Sequence, residues 1–211
     1  MPTIAAKPER KTQGARRAES DRRLIAAAIR LIATQGTSGA SLAQIGEAAG
    51  YSRGLPAERF GTKLCLLEAV VDQIETWFNR RLAERLGGRR GWAEVTARVA
   101  QHLDGAVGGT EGTRALYHLY TDAGGAMPGL RPRMIALSRT FHDGFEAAIR
   151  DAWALGELCA EIEPSRYAVL IFATVRGVAV QFLADGDTER LRAAESDVVA
   201  LFGRALQKAI A

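Results

Sequence analysis

Cysteine is scarce: Cys65 and Cys159 are the only two in 211 residues, far apart and in no CxxC or Cys/His spacing. That excludes a disulfide framework and a structural zinc site, and lone thiols of this kind are expected to pack as small buried hydrophobes. Proline is also sparse, six in all, which suits a helical chain. The three histidines, His102, His118 and His142, form no HExxH. None pairs closely with a cysteine or carboxylate, and adjacent His142 and Asp143 point apart on a helix. They are expected to be half-buried packing residues. GxSxG, P-loop and Rossmann fingerprints are missing too, so no catalytic residue, metal or cofactor is assigned. No uninterrupted apolar run approaches the roughly 18 residues that span a bilayer, and residues 1–13 lack the apolar stretch of a secretory signal. The expectation is a cytoplasmic protein with no membrane partner.

What is present is positive charge at one end. Residues 1–63 carry eleven Lys/Arg against five Asp/Glu, whereas residues 64–211 carry seventeen against nineteen. Neutralising a nucleic-acid backbone requires such a segment, since each cation that meets a phosphate releases condensed counterions. Within it, SLAQIGEAAGYSRGLPAERFGTK (41–63) places two short helical patterns around a glycine turn. Ser41 with Gln44 makes a capping box, and Leu42, Ile45 and Ala49 share one helical face. Gly50 tolerates the positive φ that a reversal needs. Ser52 is the expected cap of the second helix, with Pro56 in its first turn, and Thr62 the expected cap of a third, with Lys63 at its mouth. That is the pattern of a DNA-reading helix-turn-helix. For Lys7, Arg10, Lys11, Arg16 and Arg17 two readings stand: a solvated disordered arm, or an arm that settles in a groove on DNA.

Residues 20–35 repeat Leu24, Ala28, Leu31 and Ile25, Ile29, Ile32 at helical spacing and stop at Gly36, leaving Arg22, Arg23 and Arg30 outward. Residues 63–86 carry Leu64, Leu67, Val71, Ile74, Phe78 and Leu82 and stop at Gly87-Gly88. Further helices are expected over 92–107 and 113–123, with a break at Gly108-Gly109, then a loop over 124–132. Three long helices follow over 133–155, 165–184 and 188–210. Strand alternation occurs nowhere. The predicted fold is all-α: a flexible basic arm (1–19), a three-helix helix-turn-helix domain (20–63), and a second helical domain (64–211).

The chain resembles the tetracycline-repressor (TetR) family of bacterial transcription regulators. Leu24-Ile25, Ala27-Ala28, Leu31-Ile32 and Gly36 look like the family's first helix, and Ser41, Ile45, Gly46, Ala49, Gly50 and Ser52 like its second helix and turn. Gly54, Phe60 and Lys63 fit the third helix and the start of the fourth. The resemblance implies a homodimer joined through its last two helices, with one head in each major groove of a double-stranded operator and a small-molecule effector enclosed by the C-terminal helices. Residues implied at the DNA are Ser41, Ser52, Arg53, Gly54, Leu55, Arg59 and Lys63, the last matching the family's phosphate-binding lysine. Arg53 either forks onto guanine or meets a phosphate. The chain departs from the family at Leu55-Pro56-Ala57 and Glu58-Arg59, where an aromatic and a histidine are usual. Arg59 is read as a replacement phosphate contact, and Glu58 as either an acceptor from cytosine or the ion-pair partner of a nearby arginine.

Candidate lining for the effector site comes from aromatics on the fourth to seventh helices: Trp77, Phe78, Tyr117, Tyr120, Phe141, Phe145 and Trp153. Arg176, a charge in an apolar helix, requires a partner. It either clamps an acidic ligand, pairs across the dimer seam, or reaches solvent along its stem. Two other classes are weighed against a ligand-released repressor. One is a ligand-binding dimer without DNA binding; the other is a small all-α enzyme, which leaves the basic N-terminal third unexplained.

Overall fold

The computed structural model describes residues 12–107, 111–159 and 162–207. Helix α1 (Gln13–Gly39) opens on Thr12, whose hydroxyl accepts from the Ala15 amide at 3.2 Å. Residues 13–19, assigned from sequence to an unstructured arm, are therefore helical. They carry no apolar period, but Gln, Ala, Arg and Glu are good helix formers, and Glu19 pairs with Arg22 and Arg23 one turn on at 2.6 and 2.9 Å. Arg16 and Arg17 ride on this helix, while Lys7, Arg10 and Lys11 lie outside the described residues. The apolar repeat stops where expected. Gly36, at φ +70°, interrupts α1, and residues 37–39 form a last separate turn.

Helix α2 (Leu42–Ala48) carries the capping box: the Gln44 amide donates to Ser41 Oγ at 3.2 Å and the Ser41 amide to Gln44 Oε1 at 2.9 Å. Helix α3 (Leu55–Phe60) starts two residues later than Ser52 capping requires, on Gly54 and with no side-chain cap. Proline explains the correction. Had Ser52 been the cap, the missing Pro56 amide would have been the donor to the Ser52 carbonyl; with the start moved, Pro56 falls where no intrahelical bond is due. The Ser52 carbonyl instead accepts from Leu55 at 3.2 Å. It also presses on α2, since a Cβ on Gly46 would lie 2.5 Å from it. Glycine is required at that crossing.

Helix α4 (Lys63–Leu86) is capped by Thr62, which accepts from Cys65 at 3.1 Å, and ends on left-handed Gly87. It links the head to a body of α5 (Trp92–Val107), α6 (Glu111–Gly124), α7 (Arg131–Ala154), α8 (Pro164–Asp185) and α9 (Thr188–Leu206). The loop expected over 124–132 is shorter, because Pro128–Leu130 form a 3₁₀ turn running straight into α7, with Pro132 in its first turn. The Gly108-Gly109 break lies outside the described residues. Among those residues there is no strand, only an isolated bridge between Leu158 and Gln207. Leu24 and Ile32 of α1 join Leu67 of α4, Leu119 of α6 and Phe145 of α7 in one continuous core. Head and body share it. Packing is densest between α1 and α6, and between α7 and α8.

One further expectation is corrected. Cys65 and Cys159 are free but exposed, lying on the outer side of α4's first turn and beside the Leu158 bridge. Helix α8 is long and apolar enough to cross a membrane by length and composition, with a mean hydropathy of 1.7, although Arg176 breaks its apolar run. That apolarity has two faces. One, with Ala168, Ile171, Phe172, Val175, Ala179 and Phe182, is buried in the core; the other, with Val169, Leu170, Ala173, Gly177 and Val180, is exposed.

Candidate nucleic-acid interface and effector cavity

In the head, α2 and α3 meet at Gly50, whose φ of +78° makes the reversal. Ser41, Ser52, Arg53 and Gly54 are exposed around this turn. Arg53 leaves 73% of its side chain exposed while its Nε lies 2.8 Å from Glu47 Oε1. An exposed pair of this kind contributes little to stability and is readily exchanged for another acceptor. Leu55 is half-buried and packs on the core.

Arg59 faces inward, contrary to the phosphate role read from sequence. Its Nε donates to Asp21 at 2.9 Å, and Nη2 donates to the Arg17 carbonyl at 2.8 Å and to Ser20 Oγ at 2.7 Å. Only 12% of the side chain is exposed. It clamps α3 to α1. Glu58 is exposed in the first turn of α3, and the two nearby arginines pair with Glu47 and Asp21 instead. Lys63, the first residue of α4, donates from Nζ to the Thr37 carbonyl at 2.5 Å. Thr37 and Asp21 were missed in the sequence because their roles arise from contacts across elements, which no local spacing records.

A cavity of about 560 Å³ opens between α1, α4, α5, α6 and α7. Trp77, Phe78, Tyr117 and Phe141 line it as expected. The other four candidates do not. Phe145 is fully buried in the core, and Trp153 is 52% exposed on the outer surface. Tyr120 bonds Ser138 at 3.1 Å and is covered by Arg176, whose guanidinium carbon lies 3.7 Å from the ring centroid. Arg176 thus satisfies its charge against aromatic faces, Tyr120 first and Phe172 next at 5.2 Å. Sequence reasoning missed Arg30, Arg80, Arg81 and His102 in the lining.

His102 has ring centroids of Phe78, Phe141, Phe172 and Phe145 within 4.5 to 5.6 Å. Burial in this box lowers its pKa from 6.5 to about 3, with Arg98 and Arg176 adding in the same direction. It is neutral at physiological pH and offers the cavity a donor or acceptor without charge. Burial likewise raises the Tyr117 hydroxyl to about 12. His142 is half-buried with its ring 4.9 Å from Phe172, as a packing histidine should be, whereas His118 is exposed. Among the described residues no group of His, Cys, Asp or Glu is arranged to hold a metal.

An all-α chain with an N-terminal helix-turn-helix head, fused through a long helix to a hollow helical body, defines a ligand-binding, DNA-binding transcription regulator. Residues 24–70 match the profile of bacterial regulatory proteins of the tetR family. The HTH-type transcriptional regulator CymR of Pseudomonas putida is 31% identical over 196 residues, spanning 87% of this chain and 89% of that protein. This chain belongs to the tetR family. A TetR transcriptional regulator from Chloroflexus aurantiacus has the same fold, with a TM-score of 0.82 at 21% identity over 92% of this chain and 99% of that one. The SmeT–triclosan complex superposes with a TM-score of 0.76 at 22% identity over 90% and 93% of the two chains; SmeT is the repressor of a Stenotrophomonas maltophilia multidrug efflux pump. Family members and neighbours are regulators rather than enzymes.

Proposed function

We propose that the chain is a cytoplasmic repressor that binds a palindromic operator as a homodimer and is released by a small-molecule effector. One observation carries the effector half of this reading: Ala26, Ile29 and Arg30 of the head line the same cavity as Trp77 and Phe141 of the body. A ligand there touches the element that supports the reading helix. Ligand binding then shifts a population, because an effector that fits one head position better than another moves the equilibrium toward it. SmeT, which shares the fold, was solved with triclosan. The DNA half assigns α3 to the major groove, with Arg53 and Gly54 at the bases, and Ser41, Ser52, Leu55 and Lys63 along its edge. Arg59 acts from behind, by holding α3. The head is taken as residues 20–63 and the body as 64–211.

The exposed stripe on α8 supports the dimer. Val169, Leu170 and Val180 are 50, 44 and 50% exposed, and Leu201 of α9 is 54% exposed. Such a stripe is stabilised when a second copy covers it. Selection of genomic fragments by the purified protein, followed by anisotropy titration of the recovered duplex, tests the function. A duplex from its own upstream region is the expected winner. Failure to enrich any fragment at low salt leaves the reading of a ligand-binding dimer without DNA binding.

A further inference from the structure

A half-buried polar contact joins the body to the end of the head where Lys63 stands. Thr37, fully buried, lies just past the Gly36 break in α1. Its amide donates to Asp122 Oδ2 at 3.2 Å, and its hydroxyl to the same oxygen at 2.5 Å. Asp122 belongs to α6, 85 residues away in sequence. On its other side, the Thr37 carbonyl accepts from Lys63 Nζ at 2.5 Å and from the Ala40 amide at 3.2 Å. One threonine therefore bridges the carboxylate of α6 to the ammonium that opens α4.

Three features make this bridge a positioning device rather than packing. First, an ammonium has three donors, so the bond to Thr37 fixes Lys63 while leaving two donors for a phosphate. Second, the 3₁₀ turn that follows α6 lies close against the next residue of α4, since a Cβ on Gly129 would lie 3.1 Å from Leu64 Cδ2. The Asp122 carbonyl accepts from Met127 at 2.7 Å and Gly125 at 3.1 Å, tying that turn to the same residue. Third, α6 itself lines the effector cavity through Gly112, Thr113, Leu116 and Tyr117. From Leu116 and Tyr117 the same helix runs on to Asp122, the carboxylate that Thr37 contacts.

We propose that Asp122 is a positioning residue for DNA binding: through Thr37 it holds Lys63 where a backbone phosphate is met, and so couples α6 to the head. This rests on the phosphate reading of Lys63 given above. The test is a double-mutant cycle read as the salt dependence of binding to the duplex selected by the wild-type protein. In the wild-type background, Lys63→Ala is expected to lower the slope of log K against log salt by about one. In the Asp122→Ala and Thr37→Val backgrounds the same change is expected to alter the slope by less than about 0.3, because the Thr37 carbonyl that holds Lys63 is no longer anchored by Asp122. Thr37→Ser keeps the hydroxyl and is expected to restore the full effect. Valine matches threonine in size, so the Val/Ser pair separates loss of the bridge from loss of fold, and thermal melts confirm that each variant is folded at the assay temperature. A slope change of about one in every background overturns the positioning role. A silent Lys63→Ala in the wild-type background is a different failure: it removes the phosphate reading itself, and the proposal with it.

Discussion

Arg59 and Arg53 are both arginines of the reading unit, and their surroundings give them opposite work. Arg59 spends its donors on Asp21, Ser20 and the Arg17 carbonyl, with little of it exposed. Arg59→Ala is expected to destabilise the protein by about 2 kcal/mol, the size of lost hydrogen bonds to a charged group, as measured by urea unfolding. Arg53→Ala is expected to leave stability within about 0.5 kcal/mol, since its one pair is exposed, and to relax preference at a single base pair by about 1 to 3 kcal/mol in competition with mismatched duplexes. His102 makes a pH prediction. Its folded pKa, about 3, lies below its ordinary 6.5, so the unfolded chain takes up a proton that the folded one refuses. The stability it contributes is complete above 6.5 and is lost as pH falls toward 3, at about 1.4 kcal/mol per unit. Between pH 7.5 and 5.0 the wild type should therefore lose about 2 kcal/mol more than His102→Phe, which keeps the aromatic box; equal losses in the two proteins contradict the buried neutral ring.

At the scale of elements, what was legible in the sequence was what local chemistry decides. The capping box at Ser41, the Thr62 cap, and the stops at Gly36 and Gly87 are each set by a few adjacent residues, and all stand in the structure. The first turns of α1 were not legible, because ion pairs and helix propensity rather than an apolar face hold them. The later start of α3 was missed through one proline. Of the eight candidate cavity residues, the four found in the lining lie on α4, α6 and α7. Phe145 and Trp153 were misassigned because aromatic character does not tell core from rim. Helix α8 is apolar on both sides, one buried in the core and one exposed where the proposed dimer would cover it. Ala173→Glu, at the centre of the exposed stripe where no core contact is lost, is expected to leave helix content unchanged and turn a dimer into a monomer by sedimentation at micromolar concentration. A dimer that persists contradicts the α8 seam.

For the whole molecule, the continuous core from Leu24 to Leu206 means that the head is not loosely tethered but built onto the body. The cavity between them is lined by both, as the proposed effector release requires. Charge follows the same division, with the excess of cations in residues 1–63 and a slight excess of anions beyond. In the proposed function, paired heads meet successive grooves of one duplex. Sedimentation of the protein with the duplex it selects, at several salt concentrations, tests that most directly. The expected result is two protomers per duplex, with an affinity that falls steeply as salt rises. One protomer per duplex, or no complex even at about 50 mM salt, contradicts it.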